Sequence, residues 1–446
     1  MSTIKKASPY FCIAPWTHTY ISPQSERRIC CASREKATWT QQYIDAKEPT
    51  SSKKYIPITL EEHWNSEHMK SVRHRILDGE RIPECEVCHS QQLNLHTYRN
   101  YFTNTLFSDK IEEALNSTDE TGYTTMKPIS FDYRIHNLCN FKCRMCGEQL
   151  SSSWETEKRL MNAWNPEKDA WMIPENKKIV EEFQETVVEQ EIWNAVKEDR
   201  IEEIYWVGGE PLMYQIHWDV MKYLVDNNQA HKVVVRYNTN LSIIERNGVN
   251  LYDLLPHFKN VNMCCSQDAT GRIAEFIRTG LKYERWLDNF KQGIFLNSKY
   301  GMDAMVIDVT ITLAGLLDIK SLMNLAVDLG VKSYVKITFD FDSSIVMSPM
   351  ALPRDILNDI LYDLIDYEKN INSPLTRVYK ETFENMLLRP TFEEKYKENY
   401  KIGLKHGKDR MEKIAAFRKD GKENQAITIE EIFSNNKKVL DWWNQI

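Results

Sequence analysis

The chain has 446 residues, 42% of them apolar and 27% charged, with a formal net charge of -7. That length suggests two or three domains, and the composition suits globular domains with sizeable cores. Mild acidity gives no global attraction to phosphate backbones or anionic lipid, and no uncharged apolar run approaches the roughly 18 residues of a bilayer span, so neither nucleic acid nor membrane is an expected partner.

The first residues, MSTIKKASPYFC, lack the apolar run of a secretion signal, which predicts a cytoplasmic protein. In a reducing cytosol, ten cysteines read first as metal ligands or catalytic thiols. They cluster: Cys12, the pair Cys30 and Cys31, Cys85 with Cys88, Cys139 to Cys146, and the pair Cys264 and Cys265. FCIAPWTHTYI, a polar turn at Ser22–Arg27 and the return RRICCAS predict a hairpin. A helix is predicted from about Thr59 to Leu77, stopped near Gly79, where glycine can take the left-handed cap conformation. After CEVC a second helical stretch runs to about Leu115, and NSTDETG reads as a linker. Cys12, Cys30 or Cys31, Cys85 and Cys88 supply four thiolates. Four fills a cubane iron–sulfur cluster completely, and it also fills a structural zinc site.

From there the pattern changes. KPISFDYRI, IEEIYWV, KVVVRYN, VNMCCS, IDVTITL and SYVKITF read as strands, with helix-like segments such as Ile216–Val225, Tyr283–Phe295 and Ile319–Leu329 between them. The alternation predicts parallel strands in an α/β layer or partial barrel, with active residues at the C-terminal strand ends. After about Asp342 the chain reads as helical and charge-rich. The expected division is a small cysteine-rich domain over 1–122, an α/β domain over 123–342 and a helical extension over 343–446. Trp154–Arg200, a long first connection, and the helical tail are expected to be solvated helices covering the sheet.

The first strand of the α/β region runs into CNFKCRMC, placing Cys139, Cys143 and Cys146 in one loop. Three thiolates can each hold one iron of a cubane and leave the fourth open, as catalysis requires. The alternative is structural zinc with His136 as the fourth ligand. The second strand ends in Gly208-Gly209-Glu210-Pro211, where two glycines let backbone approach a ligand closely beside a carboxylate. Cys264 and Cys265, inside the fourth strand, read as buried packing.

C-x3-C-x2-C after strand one and GGE after strand two resemble the core of the radical S-adenosylmethionine (SAM) family. The resemblance covers residues 125–340 and implies a partial (β/α)6 barrel. It implies that Cys139, Cys143 and Cys146 hold a [4Fe-4S] cluster, and that Gly208, Gly209 and Glu210 hold the amino group of a SAM chelated to the open iron. An electron, from a donor such as flavodoxin or ferredoxin, then cleaves SAM to a 5′-deoxyadenosyl radical that abstracts hydrogen from substrate. Asn238 and Asn240 in YNTN match the polar end of strand three. Ser266 and Asp268 match an S-x-D that contacts the SAM ribose, and Arg278 matches an arginine that reaches its carboxylate.

The N-terminal segment, CIAPW, a turn, CC, and EEHWNSEHMKSVRHRILDGERIPECEVC, resembles the twitch or SPASM auxiliary-cluster domain of the same family, here preceding the core. That implies a second [4Fe-4S] cluster on Cys12, Cys30, Cys85 and Cys88, carrying electrons to or from the substrate radical. The family has glycine five residues before its second cysteine; this chain has Ser25. A single set of four cysteines implies one auxiliary cluster, the twitch form. The leading expectation for substrate is a peptide or protein. The alternatives are a radical SAM dehydrogenase acting on a small hydroxylated metabolite, and a non-catalytic zinc-stabilised binding protein.

Overall fold

The predicted hairpin closes on a turn organised by Ser22, whose Oγ accepts the N–H groups of Gln24 at 3.2 Å and Glu26 at 3.0 Å. It joins β1 (His18–Ile21) to β2 (Arg27–Arg28), with Tyr20 opposite Arg28 and Ile21 opposite Arg27. Ser25, in the turn, holds φ of 61°, a left-handed conformation that disfavours any residue with a Cβ. The structure is a computed structural model describing residues 8–35, 56–91, 97–167, 169–338, 345–422 and 426–446. Phe339 of the sixth predicted strand and the expected boundary at 342/343 lie outside the described residues.

The fold is mixed α/β with parallel strands, and the chain forms two compact units. The first comprises Met1–Asn137, Asn162–Arg236 and His257–Lys259. Within it, β3 (Ser130–Tyr133) pairs in parallel with β4 (Glu203–Trp206) on one side and with β1 on the other, Thr19 opposite Phe131. Every residue of β1, β3 and β4 is buried, as strands covered on both faces must be. The N-terminal hairpin therefore extends the same sheet as the first two strands of the α/β region.

The predicted helix over 59–77 is two helices, Leu60–Trp64 and Glu67–Leu77. Thr59 and Glu62 form a capping box on the first, and Ser66 accepts the Met69 N–H to start the second. The predicted linker Asn116–Gly122 is an ordered turn in which Asp119 Oδ1 accepts N–H groups from Thr121 and Tyr123, next to a bridge between Thr118 and Thr124. Phe11, Ile13, Trp16, Ile29, Met69, Val72, Ile76, Phe102 and Phe107 form the core of this part, with Cys12 and Cys30 among them. Each large apolar side chain buried there contributes about 1.5–3 kcal/mol.

The second unit comprises Leu138–Met161, Tyr237–Pro256 and Asn260–Ile446, the chain crossing into it within β5 (Val234–Thr239). After a short hairpin of β6 (Glu245–Arg246) and β7 (Val249–Asn250) come β8 (Asn260–Ser266), β9 (Met305–Ile311) and β10 (Ser333–Ile337). Those last three pair in parallel in that order. Helices Tyr283–Gly293 and Ile319–Leu329 fall where predicted, the latter stopped by Gly330 at φ of 64°. The tail is helical, with one side of each long helix buried and the other exposed. Its helices Arg354–Ile371, Arg377–Leu388, Glu398–Arg418, Ile429–Phe433 and Lys437–Gln445 bury Leu361, Phe383, Met411, Phe433 and Trp443 completely or nearly so. Among the described residues no helix is long and apolar enough to cross a membrane.

Candidate functional site

The loop carrying Cys139, Cys143 and Cys146 belongs to the second unit and is fixed chiefly through its backbone. Lys142 N–H donates to Thr279 C=O at 2.9 Å and Arg144 N–H to Ile277 C=O at 2.8 Å. Ser151 caps the helix Ser152–Leu160 and donates to Phe141 C=O at 2.6 Å, while Trp154 Nε1 donates to Cys143 C=O at 2.6 Å. Gly280, at φ of 112°, makes the close approach possible: a Cβ there would stand 2.8 Å from the Asn140 carbonyl.

The three thiols are half-buried and free of disulfides. Donors surround them: Phe141 N–H lies 3.4 Å and Asn240 Nδ2 3.8 Å from Cys139 Sγ, and Arg278 Nη1 is 4.0 Å from Cys143 Sγ. Burial pushes the Cys143 thiol up to about 12, against the pull of Arg278, and raises Cys146 as well. Thiols in that state become ligands when a cation takes the place of their protons. The donors around the sulfurs fit a thiolate-ligated, negatively charged group.

Ionic contacts, not visible in any motif, brace the loop. Arg418, at the end of helix Glu398–Arg418, grips the Glu157 carboxylate with Nε at 2.9 Å and Nη2 at 2.7 Å, and Lys142 joins the same carboxylate. Burial would raise the Glu157 carboxyl, but its hydrogen bonds from Arg418 and Lys142 hold it below the usual carboxylate range. Arg144 is fully buried, donates to Phe276 C=O at 2.9 Å and pairs with Asp420.

Of the remaining predicted residues in this unit, Asp268 and Arg278 are paired with each other, Arg278 Nη2 donating to Asp268 Oδ1 at 3.0 Å. The same oxygen accepts Thr310 N–H at 2.8 Å. Asn238 Nδ2 donates to Asp308 Oδ2 at 3.3 Å, and Lys336 Nζ pairs with Asp308 at 2.6 Å. Ser266 stands opposite Asp308 in the β8–β9 register. Asp308 and Lys336 are polar residues in strand runs that sequence reasoning read only as strand; their charge inside apolar stretches was the available signal. Cys264 and Cys265 are buried in β8.

The GGEP turn belongs to the first unit and follows β4. Gly208 has φ of 130°, and a Cβ there would come within 2.9 Å of Tyr214 Oη. That hydroxyl accepts Gly209 N–H at 2.9 Å and donates to His136 C=O at 2.5 Å, pinning the turn. Glu210 is completely buried and caps the short helix Pro211–Met213 by accepting Leu212 N–H at 3.1 Å. His136, weighed as a zinc ligand, shares a hydrogen bond of 2.9 Å between its Nδ1 and Gln184 Oε1.

The N-terminal cysteines lie in this same unit. Cys12, Cys30, Cys85 and Cys88 line one cavity, together with Tyr10, His89, Arg99 and Phe102. Arg34 N–H donates to Glu84 C=O at 2.9 Å, tying the segment after Cys30 to the one bearing Cys85. Cys31 does not line the cavity; its thiol interacts with Tyr98. Burial raises the thiols of Cys12, to about 12, and of Cys30 and Cys85. Four thiols around one cavity fit a group with four thiolate ligands. Among the described residues, as they stand, no three His, Cys, Asp or Glu side chains are arranged to hold a metal ion.

No known family profile and no curated protein matches the chain. Among solved structures, Streptococcus suis SuiB bound to S-adenosylmethionine is similar at a TM-score of 0.36 and 13% identity, covering 71% of this chain. SuiB bound to its precursor peptide SuiA is similar at a TM-score of 0.35 and 14% identity, with the same coverage. In both cases the match spans 65% of the SuiB chain. Resemblance that slight leaves any reading of function to rest on this chain's own residues.

Proposed function

We propose that this chain is a radical SAM enzyme acting on a peptide or protein, built on a partial (β/α)6 core over 123–342, with an auxiliary-cluster domain over 1–122 and a helical extension over 343–446. Support comes chiefly from one observation. The C-x3-C-x2-C loop carries three half-buried thiols ringed by the Phe141, Asn240 and Arg278 donors. Three thiolates hold a four-iron cluster and leave one iron open.

When bound, the cluster and SAM supply a 5′-deoxyadenosyl radical that takes hydrogen from the substrate. This chain's residues hold and screen that chemistry. Cys139, Cys143 and Cys146 ligate the cluster. Gly208, Gly209 and Glu210 bind the SAM amino group, on a turn pinned by Tyr214. The Asp268–Arg278 pair places a guanidinium beside Cys143, where it offsets thiolate charge. Asn238, Asn240 and Ser266 offer polar contacts to the nucleotide. Cys12, Cys30, Cys85 and Cys88 hold one auxiliary [4Fe-4S] cluster, shielded in an apolar core and suited to electron transfer. A reduced flavodoxin or ferredoxin is the proposed electron donor.

Anaerobic reconstitution tests the reading. About eight irons and eight sulfides per chain, with 5′-deoxyadenosine released on reduction in the presence of SAM, is the expected result. Colourless protein that retains zinc and releases no nucleoside overturns it. Mass spectrometry of candidate peptides after turnover in deuterated buffer then identifies the substrate.

A further inference from the structure

The cavity lined by the four N-terminal cysteines has two polar neighbours that thiolate ligation does not require. His89 follows Cys88 directly in the short helix Glu86–His89, and its ring lines the cavity. The residue is 4% exposed, and neither ring nitrogen has a hydrogen-bond partner among the described residues. Tyr10 holds the ring edge-on, with centroids 5.1 Å apart. A buried imidazole with no partner carries a desolvation cost of about 1–3 kcal/mol, and native structures rarely leave such a group unmatched.

Arg99 lines the same cavity, is 8% exposed and donates to the Pro9 carbonyl. Among the described residues no carboxylate is paired with it. A buried guanidinium beside four thiols points to an anion at their centre. Cys85-x-x-Cys88-His89 is also the spacing of c-type haem attachment, but haem leaves Cys12 and Cys30 on the same cavity without a function.

Resting on the auxiliary-cluster reading, we infer that His89 donates a ring N–H to a sulfur of the group held by Cys12, Cys30, Cys85 and Cys88, and that this hydrogen bond raises the group's reduction potential. A donor aimed at sulfur stabilises the form with the extra electron more than the oxidised one. The adjacent Arg99 charge acts in the same direction. His89 is a positioning and tuning residue; it is not itself a ligand.

The test uses the full chain with Cys139, Cys143 and Cys146 all changed to Ala, so that only the N-terminal set can bind iron. This parent should hold about four irons. His89→Phe keeps an aromatic ring against Tyr10 and removes both nitrogens. If it holds the same iron and its midpoint potential, from a redox titration followed by electron paramagnetic resonance, moves to a more negative value, the inference stands. An unchanged potential at full iron content overturns it. Should His89→Phe lose iron, His89→Gln decides: restored iron supports an N–H donor, and continued loss overturns the donor role. A haem absorption band in the parent overturns the inference as well. Zinc in place of iron in the parent removes the auxiliary-cluster reading itself, a result distinct from all of these.

Discussion

The two cysteine sets differ in what surrounds them. Cys12 and Cys30 are buried in an apolar core with Ile13, Trp16, Val72 and Phe102, Cys85 packs half-buried against that core, and Cys88 is buried. Cys139, Cys143 and Cys146 are half-buried, on a loop whose position is fixed by backbone hydrogen bonds and by charged side chains reaching it from the tail. The first arrangement shields its contents from solvent and ties the ligands to the stability of the fold. The second leaves its three residues partly exposed and makes the loop depend on electrostatics. On the proposed reading, shielding suits electron transfer, and partial exposure suits a site that admits a nucleotide and a substrate.

The largest expected contrast is in activity. Cys143→Ala should abolish 5′-deoxyadenosine formation and leave the melting temperature close to wild type, because the loop backbone is held independently of its thiols. Changing Cys85 and Cys88 together to Ala should reverse the pattern in stability. Iron content should fall by about half, and the melting temperature should drop more than in Cys143→Ala, since metal-binding energy at a core site is folding energy. Equal melting temperatures for the two variants would remove the distinction between a structural and an accessible site.

Glu157→Gln sharpens the electrostatic side. It leaves Arg418 and Lys142 without a counter-charge at a buried position, a loss of about 3 kcal/mol measured by urea unfolding at pH 7. The sign with pH follows from the carboxyl being held below its usual range. A depressed carboxylate contributes fully above the unfolded value of about 4.3 and loses that contribution as pH falls through the folded value. The gap between wild type and Glu157→Gln should therefore narrow below about pH 4. A gap independent of pH would show that the ionised carboxylate does not brace the loop.

That bracing also marks the limit of what the sequence makes legible. Strands such as VNMCCS and IDVTITL are readable because local runs of branched and apolar residues declare them, and both appear as β8 and β9. The break between helices Leu60–Trp64 and Glu67–Leu77 was also written locally, in the capping residues Thr59 and Ser66, but the apolar periodicity that runs across both helices masks it. Other features have no local signal. The parallel pairing of His18–Ile21 with Ser130–Tyr133 joins segments more than a hundred residues apart. Arg418 and Asp420 look like any other charges in the charge-rich tail, and only the folded chain carries them to Glu157 and Arg144. His89 had a local signal in Cys-x-x-Cys-His, which the count of four thiols overshadowed.

The smallest expected effect lies in the hairpin before Cys30. Ser25 occupies the left-handed region at a position where the auxiliary-domain pattern has glycine, and its hydroxyl is buried with no hydrogen-bond partner among the described residues. A side chain in that conformation costs about 1–2 kcal/mol, while glycine adds about 0.4–1 kcal/mol of unfolded-state entropy to be lost on folding. Ser25→Gly should therefore stabilise the protein by about 0.5–1 kcal/mol. Because Ser25 belongs to the hairpin that leads into Cys30, iron retention by the N-terminal set should improve, while 5′-deoxyadenosine formation at the three-cysteine loop stays unchanged. Destabilisation by Ser25→Gly would mean that the serine side chain supports this turn, and that the left-handed backbone does not account for glycine in the pattern.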